Sequence, residues 1–177
     1  MSPNYFELFE LPVSFEVNKD TLSQRFRDLQ RKVHPDKYVN APERERRLAM
    51  QQVTLVNEAF QTLKNPLSRA RYLLQLQGIN VQDETNTVMA TEFLLQQMEL
   101  REELAEIRQG NQPLELIKQL LTRIDNLMQP LFNHLSQQLS QQEWQLAHKS
   151  LRQLQFFQRL REEALNLEEE LLCVSYN

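Results

Sequence analysis

Few side chains in this sequence are of the kind that make or break bonds. Three histidines stand far apart, at positions 34, 134 and 148, and the single cysteine is Cys173. One thiol excludes an internal disulfide and any cysteine-based zinc cluster, and scattered histidines make no metal constellation. No nucleophile stands beside a base, no glycine-rich stretch is present to cradle a phosphate, and no metal-ligand spacing occurs. The expectation is a protein that is not an enzyme and needs no cofactor or metal. What remains is recognition by exposed groups, and two stretches have the make-up for it.

The first is the tripeptide His34-Pro35-Asp36 with the cations around it. Ahead of it Leu22, Phe26, Leu29 and Val33 are spaced 4, 3 and 4, one face of a helix. Behind it Ala49, Val53, Val56, Phe60 and Leu63 are spaced 4, 3, 4 and 3. Pro35 cannot continue a helix and pushes His34 away from helical backbone angles, so the break falls there. Two helices with facing apolar stripes and a short loop form an antiparallel hairpin. The tripeptide then sits at its tip, in water, where no core needs it. On the first of these helices Arg27 and Arg31 fall opposite the stripe, Arg25 and Lys32 lie along its flank, and Lys37 follows in the loop. Between residues 19 and 47 nine Lys/Arg face five Asp/Glu, a net of +4 in a chain of net charge −4. Asp28 interrupts this basic face.

The second stretch has more apolar residues than one helix face can hold. With Phe93 at 0°, Leu100, Leu104 and Ile107 fall within about 40° of it, a core stripe. Leu94, Leu95 and Met98 fall between about 100° and 200°, on the far side. Glu99, Glu102 and Glu106 continue that far side, and residues 92–106 hold five glutamates and one arginine. An apolar patch joined to an acidic row has the composition of a binding surface. The competing reading is that the leucines pack on another helix and the glutamates are an ordinary solvated face. Phe156 sits off the apolar pattern of its own helix, about 100° from Phe157. An exposed aromatic there is expected to be a contact.

The elements that must position these groups are helical. Only 2 glycines in 177 residues argue against the turns of a β-rich fold, and leucine, glutamine and glutamate recur as good helix formers. Tyr5, Phe6, Leu8, Phe9 and Leu11 suit a brief helix laid across the hairpin. Asn18 is placed to cap the next helix, and Pro42 to sit in the first turn of the one after. Asn65-Pro66 starts a fourth helix that carries Leu67, Ala70, Leu73 and Leu74 and stops at Gly78. Residues 79–91 lose periodicity, with Asp83-Glu84-Thr85-Asn86-Thr87 the candidate linker. Three further helices are expected: 91–109, ending at Gly110; 113–139, kinked or broken at Pro130; and one from Ser140, where Ser140 and Glu143 have capping-box spacing, to about 172. The last carries Trp144, Ala147, Leu151, Leu154, Phe157, Leu160, Ala164, Leu167 and Leu171, and short connections make the three an antiparallel bundle. The N-terminus lacks a signal segment and no run approaches a membrane span, so a soluble, cytoplasmic protein is expected.

The tripeptide between these helices, the basic face beside it and the run Asn57-Glu58-Ala59-Phe60 resemble a J domain, the module that stimulates ATP hydrolysis by DnaK-type chaperones. The later run Phe93-Leu94-Leu95-Gln96-Gln97-Met98-Glu99-Leu100-Arg101-Glu102 is similar to the signature of HscB-type co-chaperones, a J domain followed by a three-helix bundle. The resemblance implies an all-α chain with a J domain over 1–78, a linker over 79–90 and a scaffold-binding three-helix bundle over 91–177. It implies that His34, Pro35 and Asp36, with Arg25, Arg27, Arg31, Lys32 and Lys37, engage a DnaK-type ATPase, HscA. It carries scaffold binding onto Leu94, Leu95, Met98, Glu99, Glu102, Glu106 and Phe156, the partner being the iron–sulfur scaffold protein IscU. Leu95 stands where methionine is common, a near-isosteric change. Ala90 stands where an acidic cap is common, which leaves Thr91 as an alternative cap. No paired cysteines precede the J domain, which resembles the bacterial type. Other readings are a general J-domain co-chaperone for unfolded clients, a nucleic-acid binder using the basic helix, and a coiled-coil dimer of the last helices. Against nucleic acid stand the negative net charge and the lack of aromatics among the arginines.

Overall fold

Helices make up the regular structure of residues 3–38, 41–81 and 90–175, the residues described in this computed structural model. The chain divides into two compact units, Met1–Ile79 and Asn80–Asn177. The candidate linker sequence 83–87 lies outside the described residues.

In the first unit α1 spans Tyr5–Leu8, α2 Lys19–Val33, α3 Glu43–Lys64 and α4 Pro66–Leu76. Asparagines start three of them. Asn4 and Glu7 form a reciprocal capping box, the Asn18 side chain accepts the Thr21 amide, and the Asn65 side chain accepts the Ser68 amide ahead of a first-turn proline. Pro42, expected inside the first turn of α3, instead holds the cap position, where its carbonyl accepts from the Glu45 and Arg46 amides. The α2–α3 hairpin is pinned by Phe26 stacked on Phe60, ring centroids 3.9 Å apart. Leu22, Ala49, Val56 and Leu63 are buried around that pair. Across the hairpin Phe6 of α1 and Phe9, which caps its end, are buried, and Tyr5 stacks on Tyr72 of α4. Arg69 is a buried cation whose guanidinium donates to the Leu63 carbonyl at the end of α3 and lies over the Phe15 ring. Burial pulls its pKa down, against the opposing pull of Glu16.

In the second unit α5 spans Thr91–Gln109, α6 Pro113–Ser140 and α7 Trp144–Ser175. Ile117, Leu120, Ile124, Leu135 and Leu139 of α6 are buried, as are Ala147, Leu151, Leu154, Phe157, Leu160 and Ala164 of α7. Phe93, Leu100 and Ile107 of α5 complete the core, while Leu104 is only half-buried.

Three sequence expectations change in this unit. Of the kink or break expected at Pro130, the break is absent: α6 runs on to Ser140 with the proline on its exposed side. Ser140 does not cap α7: it is the last residue of α6, and its hydroxyl donates back to the Gln137 carbonyl. The chain turns instead at Gln142, with φ +60°. There the Glu143 amide reaches the Gln138 carbonyl and the Gln142 amide the Leu139 carbonyl, the paired bonds of a Schellman closure. Thr91 is the first helical residue of α5 and not its cap; Ala90 holds the cap position in extended backbone with no side-chain bond.

Closures of the same kind end α1 at Glu10, φ +52°, and α4 at Gly78, φ +75°. Only the last uses the residue that takes this conformation without strain. Among the described residues no helix is long and apolar enough to cross a membrane.

Candidate partner-docking surfaces

Val33 ends α2, and His34 leaves the helix with extended backbone, φ −57° and ψ 129°, the conformation that a following proline imposes. Residues Pro35–Tyr38 then make one 3₁₀ turn, closed by the Lys37 amide on the His34 carbonyl at 3.1 Å. Of Pro35 the backbone alone is described. The Asp36 amide donates to His34 Nδ1 at 3.3 Å, and an Asp36 carboxylate oxygen lies 3.5 Å from the same nitrogen. In the neutral imidazole an accepting Nδ1 leaves the proton on Nε2. The His34 and Asp36 side chains are 56% and 85% exposed, so the local bond orients the ring without burying it.

All five cations attributed to this surface are exposed, and the structure sorts them by their partners. Arg25 is ion-paired with Glu10, which the left-handed turn after α1 places beside α2. Arg31 lies 3.9 Å from Asp28, one turn back. Arg27, Lys32 and Lys37 have no ion pair among the described residues.

On α5 the far side is open. Leu94, Leu95 and Met98 are 46%, 54% and 59% exposed, against 6% for Phe93 and 2% for Leu100 on the opposite face. Glu99, Glu102 and Glu106 are exposed and form no ion pair among the described residues, whereas Glu103, turned toward α6, is paired with Arg123. Phe156 corrects the expectation of an exposed aromatic: it is half-buried, edge-on to Phe93 and Phe157 at 5.8 and 5.5 Å between centroids. Arg101 lies over its ring at 5.6 Å and 3.9 Å from Glu163 of α7. The sequence reading left Arg101 out of the surface. Its spacing of seven from Arg108, which pairs with Glu170 of α7, was the available signal. The two arginines mark the flank of α5 that faces α7. No group of acidic, histidine and cysteine side chains suited to a metal occurs among the described residues.

Two family models match the chain: a DnaJ domain over residues 4–72, and the HSCB C-terminal oligomerisation domain over residues 89–165. With the α2–α3 hairpin and its exposed tip, the first match defines the class, a J-domain co-chaperone rather than an enzyme. The co-chaperone HscB homolog of Photobacterium profundum is 43% identical over 166 residues, 94% of this chain and 97% of that protein. The structure of the chaperone HscB from Vibrio cholerae is 41% identical and superposes with a TM-score of 0.85, covering 96% of this chain and 99% of the other. Human co-chaperone protein HscB, 31% identical, also gives a TM-score of 0.85, over 92% of this chain and 81% of that one. The chain belongs to the HscB family of co-chaperones.

Proposed function

We propose that this chain stimulates the ATPase of an HscA-type chaperone with its first unit and delivers to it the iron–sulfur scaffold protein IscU, held by its second. In this reading the chaperone-facing J domain covers 1–78, residues 79–90 connect, and the scaffold-facing bundle covers 91–177. His34, Pro35 and Asp36 act on the ATPase, with Nε2 of His34 and the Asp36 carboxylate offered to the partner. Arg27, Lys32 and Lys37 supply the free positive charge that steers docking, and Arg25 and Arg31 contribute less because each already faces a carboxylate.

One observation carries the scaffold assignment. Leu94, Leu95 and Met98 remain half-exposed although the same helix buries Phe93 and Leu100, and they adjoin three glutamates that form no ion pair among the described residues. Such a patch suits a partner with an apolar centre and a basic rim. Phe156 forms its inner edge, held in place by Phe93 and Arg101. The site of action is the cytoplasm.

The test is the steady-state ATPase of the chaperone with the chain alone, with the scaffold alone and with both, beside recovery of the scaffold on the immobilised chain. Greater stimulation by the pair than by either protein alone, together with scaffold recovery, is expected. Stimulation by the chain with no effect and no recovery of the scaffold would reduce the function to that of a general J-domain co-chaperone.

A further inference from the structure

The middle and the tip of the α2–α3 hairpin are packed with side chains of different size. Near its middle Phe26 and Phe60 stack face to face, and two rings hold the helices apart there. Toward the tip the facing residues are Val33, Val53 and Val56, which are too short to fill the same gap. The result is a cleft of about 250 Å³ lined by Gln30, Val33, His34, Val53 and Val56. Val56 is buried at its floor, while Val33 and Val53 are half-exposed walls. Gln30 donates to Asn57 across the hairpin at 3.3 Å and braces one side. His34 belongs both to this cleft and to the exposed tip.

We propose that the cleft receives one aliphatic side chain, of leucine or isoleucine size, from an acidic segment of the ATPase chaperone. The volume lies below the roughly 300–1,000 Å³ of ordinary small-molecule sites, so a single side chain fits better than a metabolite. Three valines make the lining apolar, and their branched side chains are stiff about χ1, so the cleft is formed before a partner arrives. Charge fixes the character of the segment: Lys32, on the flank of the apolar stripe, and Lys37, in the turn after His34, are exposed and without ion pairs among the described residues. An apolar residue flanked by carboxylates meets both requirements. The insertion secures affinity and register, and the tip acts on the ATPase. This assignment rests on the reading of His34–Asp36 as the chaperone-docking tip.

Val53→Phe, which fills the cleft from its wall, is expected to raise the concentration needed for half-maximal ATPase stimulation about tenfold, as for loss of a buried anchor. The maximal stimulated rate and scaffold binding should stay as in the parent. His34→Gln should abolish the maximal rate instead. An unchanged half-maximal concentration for Val53→Phe, with His34→Gln inactive, overturns the cleft and leaves the tip. Normal stimulation by His34→Gln overturns both.

Should Val53→Phe lose its cooperative thermal transition, the unmutated full-length chain decides. With ¹³C-labelled valine methyls, the Val33 and Val53 signals should shift on adding the chaperone while that of Val81 in the second unit does not. Unshifted Val33 and Val53 signals at saturating chaperone overturn the proposal.

Discussion

Replacing Leu94, Met98 and Leu100 of α5 one at a time by alanine separates a docking surface from a core, because the three share a helix and differ in exposure. Leucine to alanine removes hydrocarbon worth about 2.4 kcal/mol when fully buried, at about 0.8 kcal/mol per methylene. Leu100, 2% exposed, should lose at least that, in a range of about 2–5 kcal/mol once the residual cavity is included. Leu94 keeps 46% of its surface in water, so roughly half the transfer free energy, about 1.3 kcal/mol, is at stake in folding. At 59% exposure Met98 should lose about 1 kcal/mol. Alanine's better helix propensity returns a few tenths of a kcal/mol at each site. In the complex the order reverses. Burying the exposed half of Leu94 contributes about 1 kcal/mol, so Leu94→Ala and Met98→Ala should each weaken scaffold binding about fivefold or more. Leu100→Ala should leave affinity unchanged in the folded fraction. Phe156→Ala should move both measurements, since its ring packs on Phe93 and Phe157 as well as edging the patch. The assay is a pair of titrations per variant: urea denaturation followed by circular dichroism, and scaffold affinity by calorimetry. If Leu94 and Met98 lose as much folding stability as Leu100 and bind the scaffold normally, the patch is core and the scaffold assignment fails.

Three further outcomes are expected. His34→Gln should abolish stimulation of the chaperone ATPase and leave helical circular dichroism and melting temperature unchanged, because the exposed tip contributes little burial; a normal rate would remove the tip from the mechanism. Reversing charge at Arg27 and Arg31 should weaken chaperone docking and flatten its dependence on salt, which screens exposed charges over about 8 Å at physiological ionic strength; within the pair Arg27→Glu should dominate, since Arg31 already faces Asp28. His148 is buried with no partner for Nε2 among the described residues, and burial, then Arg152, holds its pKa below the ordinary value against the opposing effect of a backbone bond to Val81. The unfolded chain therefore takes up the proton first as the pH falls below about 6.5, so stability is full above that pH and is lost as the pH drops toward the depressed folded value. Melting followed between pH 7.5 and 5.5 should show this loss, and His148→Gln should flatten it.

Helix positions were legible because burial imposes a period that the sequence must carry. The buried apolar positions of α7, from Ala147 to Leu167, are ones its spacing marked, while the buried polar pair His148 and Ser150 lies outside that pattern. Capping was legible where the residue type announces its conformation, as at Asn18, Asn65 and Gly78. It was not legible at Glu10 and Gln142, which adopt the left-handed conformation for the sake of the closing bonds they permit. Ser140 misled for the same reason: its spacing from Glu143 suits a cap, but the turn at Gln142 closes α6 around it. Phe156 misled because a single apolar stripe describes one neighbour, and α7 has two. The steps of three from Leu154 to Phe157 and on to Leu160 broaden the face that α7 buries, and α5 covers the edge on which Phe156 stands. The cleft beside His34 depends on the size of side chains meeting across two helices, which no periodicity along one helix records.

Pairing of charge, more than amount of charge, distinguishes the surfaces offered to partners. An exposed ion pair contributes about 0–1 kcal/mol to folding, so Arg25 with Glu10 and Glu103 with Arg123 add little stability. They do set which charges are left over. On α2 and the following turn these include, among the described residues, Arg27, Lys32 and Lys37, the last two close to the tip. On α5 Arg101, the one cation between residues 92 and 106, is drawn to Glu163 and the Phe156 ring of α7. Glu99, Glu102 and Glu106, none of them three or four residues from Arg101, form no ion pair among the described residues beside Leu94, Leu95 and Met98. Arg101 thus steadies the Phe156 ring beside the patch, and under the proposed function it supports scaffold binding although it need not touch the partner.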